Sequence, residues 1–188
     1  MGNKSLTIVV VVAAIVIFGV GGYYVGSRSS SRQAAGRGVA NEPQASNFNA
    51  VTADLKSRLD ANPKDVDLVM RLADVYFDAK QFTEAAEFYK RALSLRPDDA
   101  EIYNNLGLSI HYMGNSVEGL RYVNDGVKKN PYHQRILLTK GFILAYGLGD
   151  MGAAKEAWEK ARVINPDSQI GKAASEFLAQ TNARTNRK

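Results

Sequence analysis

Two histidines, His111 and His133, are the only side chains of the sequence that ordinarily titrate near neutrality, and there is no cysteine. A chain without thiols has no disulfide, no thiolate metal site, no cysteine nucleophile and no covalent c-type haem attachment. No His-Glu-x-x-His run places two imidazoles on one helix face, so a zinc hydrolase site has no ligands to start from. The carboxylate pairs Asp65/Asp67 and Asp98/Asp99 could in principle divide acid and base roles, but both stand at expected helix starts, where capping explains them. Gly147-x-Gly149 has no preceding strand to make it a phosphate loop and reads as a turn. His133, after Pro131-Tyr132, reads as a solvated turn residue. These residues give no nucleophile–base pair, no metal and no cofactor, and the expectation is a protein that is not an enzyme.

The elements around those residues carry a clearer signal. Pro63, Pro97, Pro131 and Pro166 are spaced 34, 34 and 35 residues apart. Between them apolar residues recur at helical spacing: Val69, Leu72, Ala73 and Tyr76 on one face, then Ala85, Tyr89, Ala92 and Leu93 on a second after a break at Asp78-Ala79-Lys80-Gln81. Proline cannot continue a helix, and the aspartates beside it suit the positive end of the next. Each proline therefore marks a hinge between helical hairpins, in an array of repeats.

A large residue, Leu with Gly or Ala, Tyr, Ala, an aromatic, Ala and Pro at fixed offsets resemble the tetratricopeptide repeat (TPR). The resemblance covers residues 66–166 and implies an all-α fold, a right-handed solenoid of αα-hairpins, with a TPR domain over 48–182. Its parts are an entering helix 48–61, repeats 66–99, 100–133 and 134–167, and a closing helix 168–182, eight helices in all. The second repeat has Gly119 and Gly126 at the small positions of its second helix, at about 0.8–1 kcal/mol each against alanine. Gly126→Ala is expected to stabilise where there is room for a methyl group. Lys140 stands where leucine belongs, and the extra residue of the third repeat fits the turn Tyr146–Gly152.

The resemblance further implies a concave groove lined by the first helix of each pair. Its offsets give Met70, Asp74, Phe77 and Asp78 in the first repeat. They give Asn104, Asn105, Leu108, His111 and Tyr112 in the second, and Arg135, Leu138, Phe142 and Tyr146 in the third. Leu108 and Phe142 have packing between helices as the alternative role. Asn105 and Arg135 match parts of the clamp that one subgroup uses for a C-terminal carboxylate. Met70, Asp74 and Thr139 do not match it, so a chaperone-tail receptor of that kind is not expected.

The ends of the chain differ from its body. Residues 48–182 carry 17 basic and 18 acidic residues, whereas the remainder carries 7 basic residues and one acid. A nucleic-acid protein should have its basic face on the folded body, so nucleic acid is not an expected partner. Leu6–Val25 is an uncharged stretch of 20 residues, about 30 Å as a helix and long enough for a hydrocarbon core. After a tail over 1–5, residues 6–26 read as a single transmembrane signal anchor, with a signal peptide cleaved after Ser27 as the alternative. Residues 27–47 read as a flexible linker and 183–188 as a basic tail. Three arginines behind the apolar run favour a cytoplasmic body; the short N-terminal tail with one lysine favours export. The reading is a single-pass protein of the bacterial inner membrane, its repeats periplasmic and binding a protein or peptide. The layout resembles accessory TPR proteins of cytochrome c maturation. Pilus or secretion assembly factors share it, and a cytoplasm-facing adaptor for a soluble protein is the competing orientation.

Overall fold

The computed structural model describes residues 42–185. Among them are eight α-helices and no strand: α1 (Glu42–Ala61), α2 (Val66–Asp78), α3 (Phe82–Leu95), α4 (Ala100–Tyr112), α5 (Ser116–Lys129), α6 (Gln134–Phe142), α7 (Met151–Ile164) and α8 (Gln169–Thr185). α1 starts ahead of the expected residue 48, so residues 42–47, read as linker, are helical. Pro43 does not prevent this, because the first turn of a helix has no use for its missing N–H. The expected membrane segment 6–26 and the linker up to residue 41 lie outside the described residues. Among the described residues no helix is long and apolar enough to cross a membrane.

Caps set the helix boundaries. The Asp65 carboxylate accepts from the N–H groups of Asp67 and Leu68, and Asp99 accepts from that of Glu101. Their neighbours Asp67 and Asp98 instead pair with Arg96, at the far end of the same repeat, and with Lys129, in the next one. His133 departs from the solvated-turn reading: it is half-buried and caps α6, its Nδ1 accepting from the Ile136 N–H. Each of the three hairpin turns holds one residue in the left-handed region: Lys80 (φ 60°), Gly114 (φ 91°) and Gly149 (φ 74°). Glycine adopts it freely; Lys80 does so against its side chain.

The stack is curved. The first helices α4 and α6 pack against each other, as do α6 and α8, whereas the second helices α3, α5 and α7 pack mainly on their own and adjacent hairpins. The layer of first helices is therefore the inner one. The buried residues form two clusters, one spanning α1–α4 and one spanning α5–α8, bridged by Phe142. In the second, Trp158 of α7 is fully buried, stacks on Phe177 of α8 at 4.8 Å and donates from Nε1 to the Leu138 carbonyl.

Glycines make the junction between the clusters. A Cβ on Gly107 of α4 would lie 2.7 Å from the Gly119 carbonyl oxygen, and one on Gly119 of α5 would lie 2.5 Å from that of Gly107. Two hydrogens where methyl groups would stand let these backbones meet, which offsets the propensity lost by glycine. Gly126 corrects the expectation of spare room: a Cβ there would overlap Ile136 Cδ1 and stand 2.5 Å from Tyr103 Cβ. Gly126→Ala is therefore expected to lower stability by about 1–2 kcal/mol, as overpacking outweighs helix propensity. Urea denaturation checks it, and an unchanged or raised midpoint would contradict the crowding.

The extra residue of the third repeat is not looped out. It widens the end of α6 into a π-helical turn over Ile143–Gly147, where the Leu148 N–H reaches back to the Ile143 carbonyl. A π turn absorbs one inserted residue without breaking the helix. It also turns Tyr146 outward beside Phe142, their rings 5.1 Å apart.

Candidate functional site: the groove of the inner helices

The inner helices position the candidate residues unequally. Phe77, Asn104, Leu108 and Leu138 are buried in the free protein; Leu108, only 4 % exposed, packs in the first cluster. Met70, Asn105, His111, Arg135 and Phe142 are half-buried, and Asp74, Tyr112 and Tyr146 are exposed. The surface a ligand can reach is thus narrower than the set of family offsets.

Two features share it. The first is a run of aromatic rings across three repeats. Phe82 stacks on Tyr112 at 4.9 Å, with Phe77 edge-on to both. His111 lies 5.2 Å from Tyr112 and 5.5 Å from Phe142, and Tyr146 continues the run toward Trp158 and Phe177. Phe77, His111, Tyr112 and Phe142 lie at the C-terminal ends of α2, α4 and α6, and Phe82 opens α3 just after the first hairpin turn. The His111 Nδ1 is 2.9 Å from Ser116 Oγ, and burial among the rings holds its pKa below the ordinary value although it sits in a last helical turn.

The second feature is polar. The Tyr89 hydroxyl, on a side chain only 1 % exposed, donates to Asp74 Oδ1 at 2.5 Å. Asp74 is exposed as a residue, yet its carboxyl is partly desolvated. This desolvation raises its pKa, opposed by the Tyr89 hydrogen bond and the Arg135 charge, and reinforced by Asp78 and Glu101. Asp78, one turn on, is also raised by burial. Glu101 takes both His133 Nε2 and Arg135 Nη1 at 3.1 Å. Arg135 is therefore already paired, which adds to the case against a carboxylate clamp.

Tyr89, Phe82, Glu101 and His133 belong to the site but were missed as groove residues. Glu101 carried a usable signal: it precedes Arg135 by 34 residues, one repeat length, so the two occupy equivalent positions on adjacent inner helices. Tyr89 carried none, because its apolar face reads as core.

The family model described as TPR repeat matches residues 73–114. Over those residues the chain is similar to the tetratricopeptide repeat. A TPR repeat-containing protein of Rhizobium etli is 26% identical over 121 residues, 64% of this chain and 59% of that protein. The peroxisomal targeting signal receptor of Candida albicans is 32% identical over 100 residues, 50% of this chain and 15% of the receptor. The chain thus spans less than two thirds of the length of either curated relative. Among solved structures, MamA is similar in fold, with a TM-score of 0.60 at 17% identity over 79% of this chain and 98% of that one. TPR stacks are protein-interaction scaffolds, and their curvature provides an extended surface for another chain.

Proposed function

We propose that this TPR stack holds a segment of another polypeptide against its inner helices, and that residues 6–26 tether it to a membrane as an assembly or biogenesis factor of the bacterial envelope. The observation that carries the reading is the aromatic run, exposed at Tyr112 and Tyr146, beside fixed polar groups on the inner face. Rings give large contact area at low entropic cost, and polar groups fix the register of the bound chain. The relative named as a targeting signal receptor supports a polypeptide ligand. Cytochrome c maturation is the pathway whose accessory proteins this layout resembles. A cytoplasm-facing adaptor is the second reading, favoured by Arg28, Arg32 and Arg37 behind the apolar run.

A photoreactive residue placed at Tyr112 in cells is expected to crosslink a partner polypeptide far more strongly than one at Lys90, which is exposed on the outer helix α3. Equal labelling at both would remove the groove from the proposal. A topology reporter fused after Lys188 separates the orientations: activity only in a reporter that requires the cytoplasm would leave the adaptor.

A further inference from the structure

The charge of the groove narrows what it can hold. Glu101 is paired with Arg135 and in contact with His133, but among the described residues neither Asp74 nor Asp78 forms an ion pair. These two carboxylates lie one helical turn apart on α2, with Phe77 between them on the same side and its ring against Phe82 and Tyr112. Asp74 is not a loose surface acid: the buried Tyr89 hydroxyl fixes one of its oxygens. Beside them on α4, Asn104, 2 % exposed, donates to Asn105 Oδ1 at 2.9 Å. Its own Oδ1 has no hydrogen-bond partner among the described residues. This leaves a buried acceptor without a partner next to the half-buried Asn105, which the family offsets place in the groove. Among the described residues no three acidic or histidine side chains converge as metal ligands do.

We propose that the groove selects a basic polypeptide segment: Asp74 and Asp78 take a Lys or Arg side chain while Phe82, Tyr112 and Phe142 take a neighbouring apolar one. The proposal rests on the groove reading above and adds the chemistry of the occupant. It departs from a carboxylate clamp, which needs lysine where Met70 stands and asparagine where Asp74 stands. Partial desolvation supports it. A carboxylate denied some of its water gains more from a cation than a fully hydrated one does. The same desolvation works against the free protein. A carboxyl whose pKa is raised on folding contributes stability below its unfolded pKa, and that contribution is lost as pH rises through the raised value.

The test uses the full-length chain and three labelled peptides sharing the same apolar residues and differing only in whether the other positions are lysine, serine or glutamate. Fluorescence anisotropy is expected to rank them lysine, serine, glutamate. Asp74→Asn, which can still accept from Tyr89, is expected to weaken the lysine peptide about tenfold while leaving the serine peptide unchanged. The same variant should melt higher than the parent at neutral pH, a gain in stability joined to a loss of binding that a purely structural role would not give. Asp78→Asn provides an independent variant for the same comparison. A glutamate peptide bound as tightly as the lysine one, or a lysine peptide indifferent to both variants, overturns the proposal. If Tyr112→Ala weakens all three peptides alike while the aspartate variants change nothing, the groove stands and its charge selectivity falls. If no peptide binds, both fall. Self-association by sedimentation that Tyr112→Ala abolishes would make a second copy of this chain the occupant and also overturn it.

Discussion

Gly119→Ala is expected to lower the melting temperature by roughly 5–10 °C, the effect of about 2–3 kcal/mol of overpacking in a chain of this size. Helix propensity alone gives the opposite sign, since alanine is favoured over glycine by about 0.8–1 kcal/mol in a helix interior. The neighbour that the new methyl group meets decides between them. At Gly119 that neighbour is backbone: the Gly107 carbonyl oxygen at 2.5 Å, with the His111 N at 3.1 Å. No rotamer change relieves a carbonyl in a hydrogen-bonded helix, so α4 and α5 must separate at the junction of the two core clusters. Gly152 is the control. It lies exposed in the first turn of α7, with only Asp150 Oδ1 near the added atom, at 3.5 Å. Gly152→Ala should be neutral or slightly stabilising. Parallel thermal melts check both, and a Gly119→Ala protein as stable as its parent would mean that the helices have room to separate freely.

Trp158→Ala should cost about 3–5 kcal/mol, the range for removing a fully buried large aromatic. The substitution empties the space between α6 and α8, removes the stack on Phe177 and leaves the Leu138 carbonyl without its indole donor. It also opens the contact with Gly141, whose missing side chain makes room for the indole. In a stack stabilised by neighbour contacts the damage should be local. Hydrogen exchange is expected to show the amides of α6, α7 and α8 losing protection well before those of α2 and α3. A loss below about 1 kcal/mol, or protection lost evenly along the chain, would contradict a separate C-terminal cluster.

The groove was only partly legible in the sequence. Family offsets select residues by position on a helix, and position does not report depth. Asn104 and Asn105 are adjacent at the same end of α4, yet one is buried and the other half-buried, because only Asn104 turns fully into the packing. Tyr89 looked like an ordinary core aromatic; that its hydroxyl meets Asp74, 15 residues earlier, depends on how α3 lies across α2. Lys140, which departs from the repeat pattern, is half-buried, and burial together with the Lys160 charge lowers its pKa.

Local chemistry repeated at a fixed interval is readable without coordinates. Proline stops a helix wherever it stands, aspartate caps the next, and apolar residues at helical spacing need a partner face, so the hairpins and their succession follow from the one-dimensional pattern. What depends on distances between elements does not. The contact of Gly107 with Gly119, the crowding around Gly126, the π turn that takes up the extra residue and, beside the aromatic run, two aspartates without an ion pair among the described residues arise only when the helices are set against one another. Whether a missing methyl group is a cost or a requirement, and whether a carboxylate has a partner, is fixed by atoms distant in sequence.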